Sequence, residues 1–306
     1  MRRARFALAV ALAWGAVQAQ PPPDVAARLH AIGPRIEIAE TSRLYAALQP
    51  RDLYQGVYPT RDLAYGPDDK QKLDVFTAGP GGRALKPVLV FVHGGAFAGG
   101  DKHAGGPLYD NVMAWAARNG LVGVDLNYRL APKAVWPSGA QDVGAAVAWI
   151  RQNIGRYGGD PRRIYLWGHS AGAVHVADYL AGAKNSDGVA GAILTSGQIY
   201  DMSGPNVSKI YHGTDAAAYP AMASLPGLLK TPARLMVTRA ELDPPAFRGQ
   251  TETLVRALRD ARRSPVILEL NGHSHLSEIL AIGTPDHSLS DPVLAFVRAR
   301  ARSDDR

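Results

Sequence analysis

Residues 163–172 read RIYLWGHSAG, and the rest of the chain is best understood around this stretch. An apolar run ends at Trp167, and a helix-forming segment begins at Ala171. The glycines at 168 and 172 permit a tight, strained turn that would lift the Ser170 hydroxyl above the end of a strand. A G-x-S-x-G pattern between a strand and a helix predicts a nucleophilic serine. Outside that setting the same letters would indicate only a serine that caps a helix.

Similar apolar runs recur along the chain and are typical of strands buried on both faces of a parallel sheet. They cover residues 73–76, 87–92, 121–126, 163–167, 189–195, 234–238 and 265–270. Helical segments alternate with them at 108–118, 138–156, 171–182, 247–262 and 292–302. The alternation predicts an α/β fold with a mostly parallel, doubly wound sheet and helices on both of its faces.

The predicted domain organisation has three parts. Residues 1–19 form a signal peptide, residues 20–60 form an N-terminal arm or lid segment that is weakly helical, and residues 61–306 form the α/β domain. Within that domain, residues 199–230 interrupt the alternation with many Ala, Gly and Pro residues. A long insertion of this kind often covers a site, so we expect residues 199–230 to form a small lid.

The N-terminal segment has the composition of a secretory signal. Arg2, Arg3 and Arg5 precede an apolar stretch at 6–17, and the small residues around Ala19 fit a cleavage site. We expect cleavage after Ala19 and a periplasmic or secreted protein. The stretch is short for a bilayer, and no later segment has the roughly 18 uninterrupted apolar residues of a membrane helix, so no stable membrane span is predicted.

Composition excludes several classes of chemistry and partner. The 306 residues contain no cysteine, which rules out disulfide frameworks, thiolate zinc sites and cysteine nucleophiles. The formal charge of +7 falls to +4 when the three arginines of residues 1–19 are removed. Because the remaining basic residues are spread along the chain, a nucleic-acid partner is not favoured.

A nucleophilic serine needs a histidine base and a carboxylate that orients the histidine. On a strand-to-helix turn of this type the order along the chain is serine, acid, histidine. Asp243 follows the strand 234–238, and His275 follows the last strand, so both lie at carboxyl ends of strands, where open α/β sheets place their sites. We favour the triad Ser170, Asp243 and His275, with Glu241 and His273 as the alternative acid and base.

The two histidines at 273 and 275 could in principle hold a metal ion. The chain has no HExxH motif and no cysteine, so a zinc site has little support. No metal site is therefore predicted.

A glycine-containing loop supplies the third part of the predicted site. The residues His-Gly-Gly-Ala at 93–96 directly follow the strand 87–92. When a serine attacks a carbonyl group, the oxygen becomes an anion, and glycines let backbone N–H groups approach it closely. A further donor is the N–H of the residue after the nucleophile, Ala171. A phosphate-binding loop is disfavoured because G-x-x-x-x-G-K-[ST] does not occur.

These motifs, with NYRLAP at 127–132 and GGDP at 158–161, resemble the α/β-hydrolase esterases of the hormone-sensitive-lipase-like group. The resemblance extends from about residue 65 to the C-terminal helix. It implies the α/β-hydrolase fold, an acyl-serine mechanism, no cofactor, and small or medium carboxylic esters as substrates. It also implies that the N–H groups of Gly95, Ala96 and Ala171 form the oxyanion hole, with Gly94 supporting the turn, and that residues 128–132 and Asp142 are structural.

Two residues depart from that group. Ala96 stands where a third glycine is usual, and His169 stands where an acid is usual. The loop and the GHSAG turn also resemble bacterial carboxylesterases of the feruloyl and acetyl-xylan kind, and kynurenine formamidases. Formamidases usually carry a tryptophan where this chain has Phe97, which weakens the reading as an amidase.

A non-catalytic binding protein on the same scaffold is the other alternative, and it is disfavoured because the chain lacks no triad member. The tyrosines at 200, 211 and 219 would suit an aryl ester and are equally well explained as packing residues. The oligomeric state is not specified by the sequence.

Overall fold

The computed structural model of the protein describes residues 20–79, 84–105, 107–182 and 189–299. The predicted signal peptide at residues 1–19 lies outside the described residues, as does the end of the predicted C-terminal helix at 300–302.

An eight-stranded sheet forms the centre of the described protein, in the order β1-β2-β4-β3-β5-β6-β7-β8. The first two strands join the sheet antiparallel, and the other neighbouring pairs are parallel. The strands are β1 (Tyr58–Ala64), β2 (Lys72–Thr77), β3 (Lys86–Val92), β4 (Val122–Leu126), β5 (Gly159–His169), β6 (Val189–Thr195), β7 (Arg234–Leu242) and β8 (Val266–Ser274). The predicted mostly parallel α/β sheet is thus confirmed.

All seven apolar runs form strands, and β1 is the strand that the sequence analysis missed. Its residues alternate between exposed and half-buried, and none is fully buried. An edge strand with a proline and charged residues carries no continuous apolar run, so periodicity does not reveal it.

The helices connect the strands and cover both faces of the sheet. They are α1 (Pro23–Ile32), α2 (Ile38–Ala46), α3 (Asp110–Arg118), α4 (Ser138–Asn153), α5 (Ala171–Gly182), α6 (Lys209–His212), α7 (Tyr219–Met222), α8 (Leu225–Leu228), α9 (Pro245–Asp260), α10 (Ser277–Leu280) and α11 (Ser290–Arg298). The predicted helix 138–156 ends at Asn153 and continues as a short 3-10 turn, which Gly158 terminates in the left-handed conformation. The segment 199–230, predicted as a loop-like lid, contains the three short helices α6 to α8.

Two apolar layers enclose the sheet because successive strand residues point to opposite faces. In β3, Leu89 and Phe91 belong to the layer that contains α3 and α11, whereas Val88, Val90 and Val92 belong to the layer that contains α4 and α5. This continuous burial on both faces explains why the strand is apolar from Pro87 to Val92.

The N-terminal segment is part of the same core. Val25 and Leu29 of α1 and Tyr45 of α2 are buried in the layer that contains α3, and α1 packs against β8. Strand β1 begins at Tyr58, so the boundary drawn after residue 60 falls within it. None of the helices in the described ranges is long and apolar enough to cross a membrane.

Candidate active site

Ser170 lies on the sharp turn between β5 and α5. Its φ of 56° is in the left-handed region that non-glycine residues rarely adopt. A Cβ atom on Gly172 would lie 2.0 Å from the Val92 carbonyl oxygen, and one on Gly168 would lie 2.4 Å from the Gly172 carbonyl oxygen. Glycine is therefore required on both sides of the serine, and the strand, turn and helix are arranged as the sequence predicts.

Asp243 and His275 meet at the same edge of the sheet. Asp243 follows β7, His275 follows β8, and the distance from His275 Nδ1 to Asp243 Oδ1 is 2.8 Å. Because a carboxylate only accepts hydrogen bonds, Nδ1 carries the proton, which leaves Nε2 as the basic nitrogen of the neutral ring. Both side chains are almost fully buried. The arrangement is that of a general base oriented by an acid.

Ser196 is a site residue that the sequence analysis missed. It follows β6, and its hydroxyl donates a hydrogen bond to Asp243 Oδ2 at 2.6 Å. The backbone N–H of Ala240 donates to the same oxygen at 2.9 Å. Both carboxylate oxygens of Asp243 are thus satisfied. Its position directly after a predicted strand could have identified Ser196 as a site residue, because the carboxyl ends of parallel strands lie at one edge of the sheet.

The alternative acid Glu241 and the alternative base His273 make contacts with other residues. Glu241 Oε2 accepts a hydrogen bond from the backbone N–H of Gly272, and Oε1 lies 3.6 Å from the ring of His30, which is outside the site. His273 lies 3.1 Å from Ser277 Oγ, 2.8 Å from Ser288 Oγ and 3.2 Å from Asp286 Oδ2. His273 therefore anchors the loop after β8, and His275 is the histidine that contacts Asp243.

The predicted oxyanion loop lies against the nucleophile. A Cβ atom on Gly94 would be 3.0 Å from Ser170 Cβ, and one on Gly95 would be 2.1 Å from the Gly99 carbonyl oxygen. Gly95 has a φ of 134°, and Ala96 adopts a φ of 51° without being glycine. Among the described residues, the backbone N–H groups of Gly95, Ala96 and Ala171 have no hydrogen-bond acceptor. They are therefore free to donate to a substrate oxygen.

Hydrogen bonds of buried polar residues hold the oxyanion loop in place. The Nδ1–H of His93 donates to the Gly94 carbonyl oxygen at 2.6 Å, and the Tyr128 hydroxyl donates to the His93 carbonyl oxygen at 2.9 Å. Burial lowers the pKa of His93 to about 4, against the opposing effect of its hydrogen bond to Gly94. Arg129 pairs with Asp142 at 2.7 Å beside it. The contacts of Tyr128 and Asp142 are structural, as the resemblance implied.

A second buried group adjoins His275. His169 Nε2 lies 2.8 Å from the His275 carbonyl oxygen and 3.7 Å from Glu278 Oε1. Burial raises the pKa of Glu278 well above its usual range, and the neighbouring charge of Asp243 raises it further. Burial also lowers the pKa of His169 well below its usual range, and His275 adds to this effect. Burial therefore favours the uncharged form of both side chains.

In the described part of the chain, His169, His275 and Glu278 can bring one ligand atom each to within 4.8 Å of one another. His169 Nε2 faces a carbonyl oxygen and His275 Nδ1 faces a carboxylate, so these two nitrogens carry protons and are not metal ligands in this arrangement.

The chain is similar in sequence to known esterases. The family model BD-FAE matches residues 73–221. The esterase LipQ of Mycobacterium tuberculosis is 30% identical over 268 residues, covering 78% of this chain and 62% of LipQ. The para-nitrobenzyl esterase of Bacillus subtilis is 36% identical over 147 residues, covering 44% of this chain and 28% of that enzyme.

Solved structures share the fold. Esterase B from Lactobacillus rhamnosis superposes with a TM-score of 0.71 at 15% identity, covering 90% of this chain and 93% of that one. A bacterial heroin esterase gives a TM-score of 0.69 at 23% identity, with 90% and 96% covered. The chain spans 62% of the length of LipQ and 50% of the length of the related esterase LipC. The solved structures show that the chain has the α/β-hydrolase fold, and its sequence is similar to esterases such as LipQ and LipC.

Proposed function

We propose that this protein is a serine carboxylesterase that hydrolyses small or medium carboxylic esters through an acyl-serine intermediate. The observation that carries the proposal is the hydrogen bond between His275 and Asp243, which lies at the same sheet edge as the strained turn of Ser170. The relatives with esterase names support the same class of reaction.

The proposed reaction has two halves that use the same residues. His275 Nε2 takes the proton of the Ser170 hydroxyl, and Oγ attacks the ester carbonyl carbon. The N–H groups of Gly95, Ala96 and Ala171 hold the oxyanion. His275 then gives its proton to the leaving alcohol. A water molecule, deprotonated by His275, attacks the acyl carbon. As the bond to Ser170 Oγ breaks and the acid leaves, His275 returns the proton to Oγ. Asp243 keeps the imidazole in one tautomer and stabilises its cation.

The insertion at 199–230 supports an apolar substrate group of modest size. Ile199, Met202 and Tyr211 of the insertion form one buried apolar cluster with Phe97 and Ala171. The rings of Phe97 and Tyr211 stack at 4.5 Å with an angle of 1° between their planes. Since Ala171 is a proposed oxyanion donor, this cluster lies beside the reacting carbonyl. We therefore propose that the insertion forms a wall of the acyl or aryl pocket.

We propose that the protein is exported and that residues 1–19 are removed. The support is the sequence pattern of Arg2, Arg3 and Arg5 before the apolar stretch. Expression with a native N-terminus, followed by fractionation and N-terminal sequencing, tests this proposal. A periplasmic or secreted protein that begins near Gln20 is expected, and a cytoplasmic protein that keeps Met1 would contradict export.

Hydrolysis of p-nitrophenyl esters of increasing acyl length, by the wild type and by Ser170→Ala, tests the proposed activity. We expect the wild type to favour short or medium chains, and the substitution to lower kcat by about 10⁶ because the triad residues act as a unit. Near-normal turnover by the variant would overturn the assignment. N-formylkynurenine assayed in parallel separates an esterase from an arylformamidase.

A further inference from the structure

His169 makes a contact that the reaction itself does not require. It is the last residue of β5, it directly precedes Ser170, and its side chain is 1% exposed. The side chain lies beside the oxyanion loop at residues 93–96 and beside a second loop. It reaches across the sheet edge to the loop after β8, where Nε2 lies 2.8 Å from the carbonyl oxygen of His275. The two imidazole rings lie 4.7 Å apart and are tilted by 37°.

The partner atom fixes the tautomer of His169. A carbonyl oxygen can only accept, so Nε2 carries the proton and donates it. Nδ1 then has the lone pair, and this atom is buried without a hydrogen-bond partner among the described residues. A Cβ atom on Gly94 would lie 3.3 Å from Nδ1. The His169 ring therefore lies between the oxyanion loop and the loop that carries His275.

The hydrogen bond from His169 holds the backbone of the residue that we assign as the base. His275 is held at two points, with its ring on Asp243 and its backbone carbonyl on His169. His169 is bonded covalently to Ser170, so the hydrogen bond links the loop of the base to the nucleophile across one peptide unit. The hydrogen bond thus ties the backbone of His275 to the residue that precedes the nucleophile.

We propose that His169 is a positioning residue for the proposed esterase reaction, acting through the hydrogen bond from its Nε2–H to the backbone carbonyl of His275. The nearest oxygen of Glu278 lies 3.7 Å from Nε2, beyond hydrogen-bond distance, and neither carboxyl oxygen has a hydrogen-bond partner among the described residues. The carbonyl of His275 is thus the hydrogen-bond acceptor of Nε2. An uncharged His169 also leaves His275 free to become a cation during the reaction.

Two substitutions of similar size separate this role from simple packing. His169→Gln keeps an N–H donor at the end of an unbranched side chain, whereas His169→Met fills similar space without a donor. We expect His169→Met to lower kcat by about 100-fold, the loss typical of misplacing a reacting group by about 1 Å, with KM changed less than about threefold. The kcat of His169→Gln should be at least about tenfold higher than that of His169→Met.

Thermal unfolding of both variants is the control for stability. We expect the two variants to melt within a few degrees of each other. A merely structural histidine would give equal kcat values for the Gln and Met variants, and that result would overturn the proposal. So would a wild-type kcat in His169→Met. The proposal rests on the esterase activity, and the two fail differently: a wild type that hydrolyses no ester contradicts the proposed function, whereas an active wild type with an equally active Met variant contradicts only the role of His169.

Discussion

The carboxylate of Asp243 connects residues from three different strands or their ends. One oxygen accepts from His275 after β8, and the other accepts from Ser196 after β6 and from the backbone of Ala240 in β7. With both oxygens held, the carboxylate has one orientation, and so does the imidazole that donates to it. The proposed base is thus positioned before a substrate binds, which is how an enzyme avoids reorganisation during the reaction.

The two histidines of the loop after β8 should respond oppositely to substitution. His275→Ala removes the proposed base and should lower kcat by about 10⁶. His273→Ala removes hydrogen bonds to Ser277 and Ser288, so it should reduce the free energy of unfolding by about 1–3 kcal/mol while kcat stays within about tenfold. Ester hydrolysis and urea unfolding of both variants provide the measurement. Retained activity in His275→Ala would show that the assignment is reversed.

Asp178 on α5 predicts a dependence of stability on pH. Burial raises the pKa of its carboxyl to about 8, and the nearby side chains of Trp136 and Ser224 oppose the shift only in part. Because the folded pKa exceeds the unfolded value of about 4, the protonated acid stabilises the fold fully below pH 4. This contribution is lost progressively as the pH rises through 8.

Asp178→Asn imitates the protonated acid and should remove this effect. Melting temperatures of the wild type and the variant, measured from pH 5 to pH 9, should diverge as the pH rises, with the variant the more stable at pH 9. A difference in melting temperature that stays constant over this range would contradict the shifted pKa.

At the scale of elements, the turn between β5 and α5 depends on close contact with β3. A Cβ atom on Gly172 would lie 2.0 Å from the Val92 carbonyl oxygen, which is backbone and cannot move aside cheaply. Gly172→Ala should therefore destabilise the protein by about 1–3 kcal/mol and displace Ser170. Gly249→Ala in α9 is the matched control, because its added Cβ would meet no atom of the described residues within 4 Å apart from the neighbouring backbone of its own helix.

The control should raise stability by up to about 1 kcal/mol, since alanine favours a helix interior over glycine. Urea unfolding with parallel ester assays measures both effects. A Gly172→Ala protein as stable and active as the Gly249→Ala protein would contradict the packing of the turn.

The sequence predicted the elements whose pattern is set by burial and missed those set by tertiary contact. Continuous apolar runs identified seven strands, most of them buried on both faces, although the edge strand β8 is exposed at Val266 and Ile267. Strand β1 lies at the sheet edge, and the helices α6 to α8 are only four residues each, too short for a period to show. Ser170, Asp243 and His275 could be proposed because their chemistry fixes their order along the chain. The contacts of Ser196 and His169 depend on side-chain direction across the sheet, which spacing alone does not give.

At the scale of the whole molecule, the N-terminal segment is part of the hydrolase core. Leu29 of α1 is fully buried in the layer that contains α3 and α11, whereas Ile38 of α2 is 58% exposed. Leu29→Ala should destabilise the protein by about 2–5 kcal/mol, because it leaves a cavity in a packed core. Ile38→Ala should change stability by no more than about 0.5 kcal/mol. Equal effects in thermal unfolding would show that the segment is not anchored in the core.

The sheet as a whole brings together residues that are distant along the chain. The oxyanion loop after β3, the nucleophile after β5, the acid after β7 and the histidine after β8 all lie at one edge, because these strands are parallel. This convergence is the physical basis of the central claim, which is that Ser170 is an activated nucleophile.

Labelling of the folded protein with a fluorophosphonate, followed by mass spectrometry of its peptides, tests that claim most directly. An activated serine attacks the phosphorus and stays covalently modified, whereas ordinary surface serines do not react. We predict one label per chain, on Ser170, and no label in Ser170→Ala. A folded wild-type protein that stays unlabelled, or that carries its label on another residue, would contradict the account.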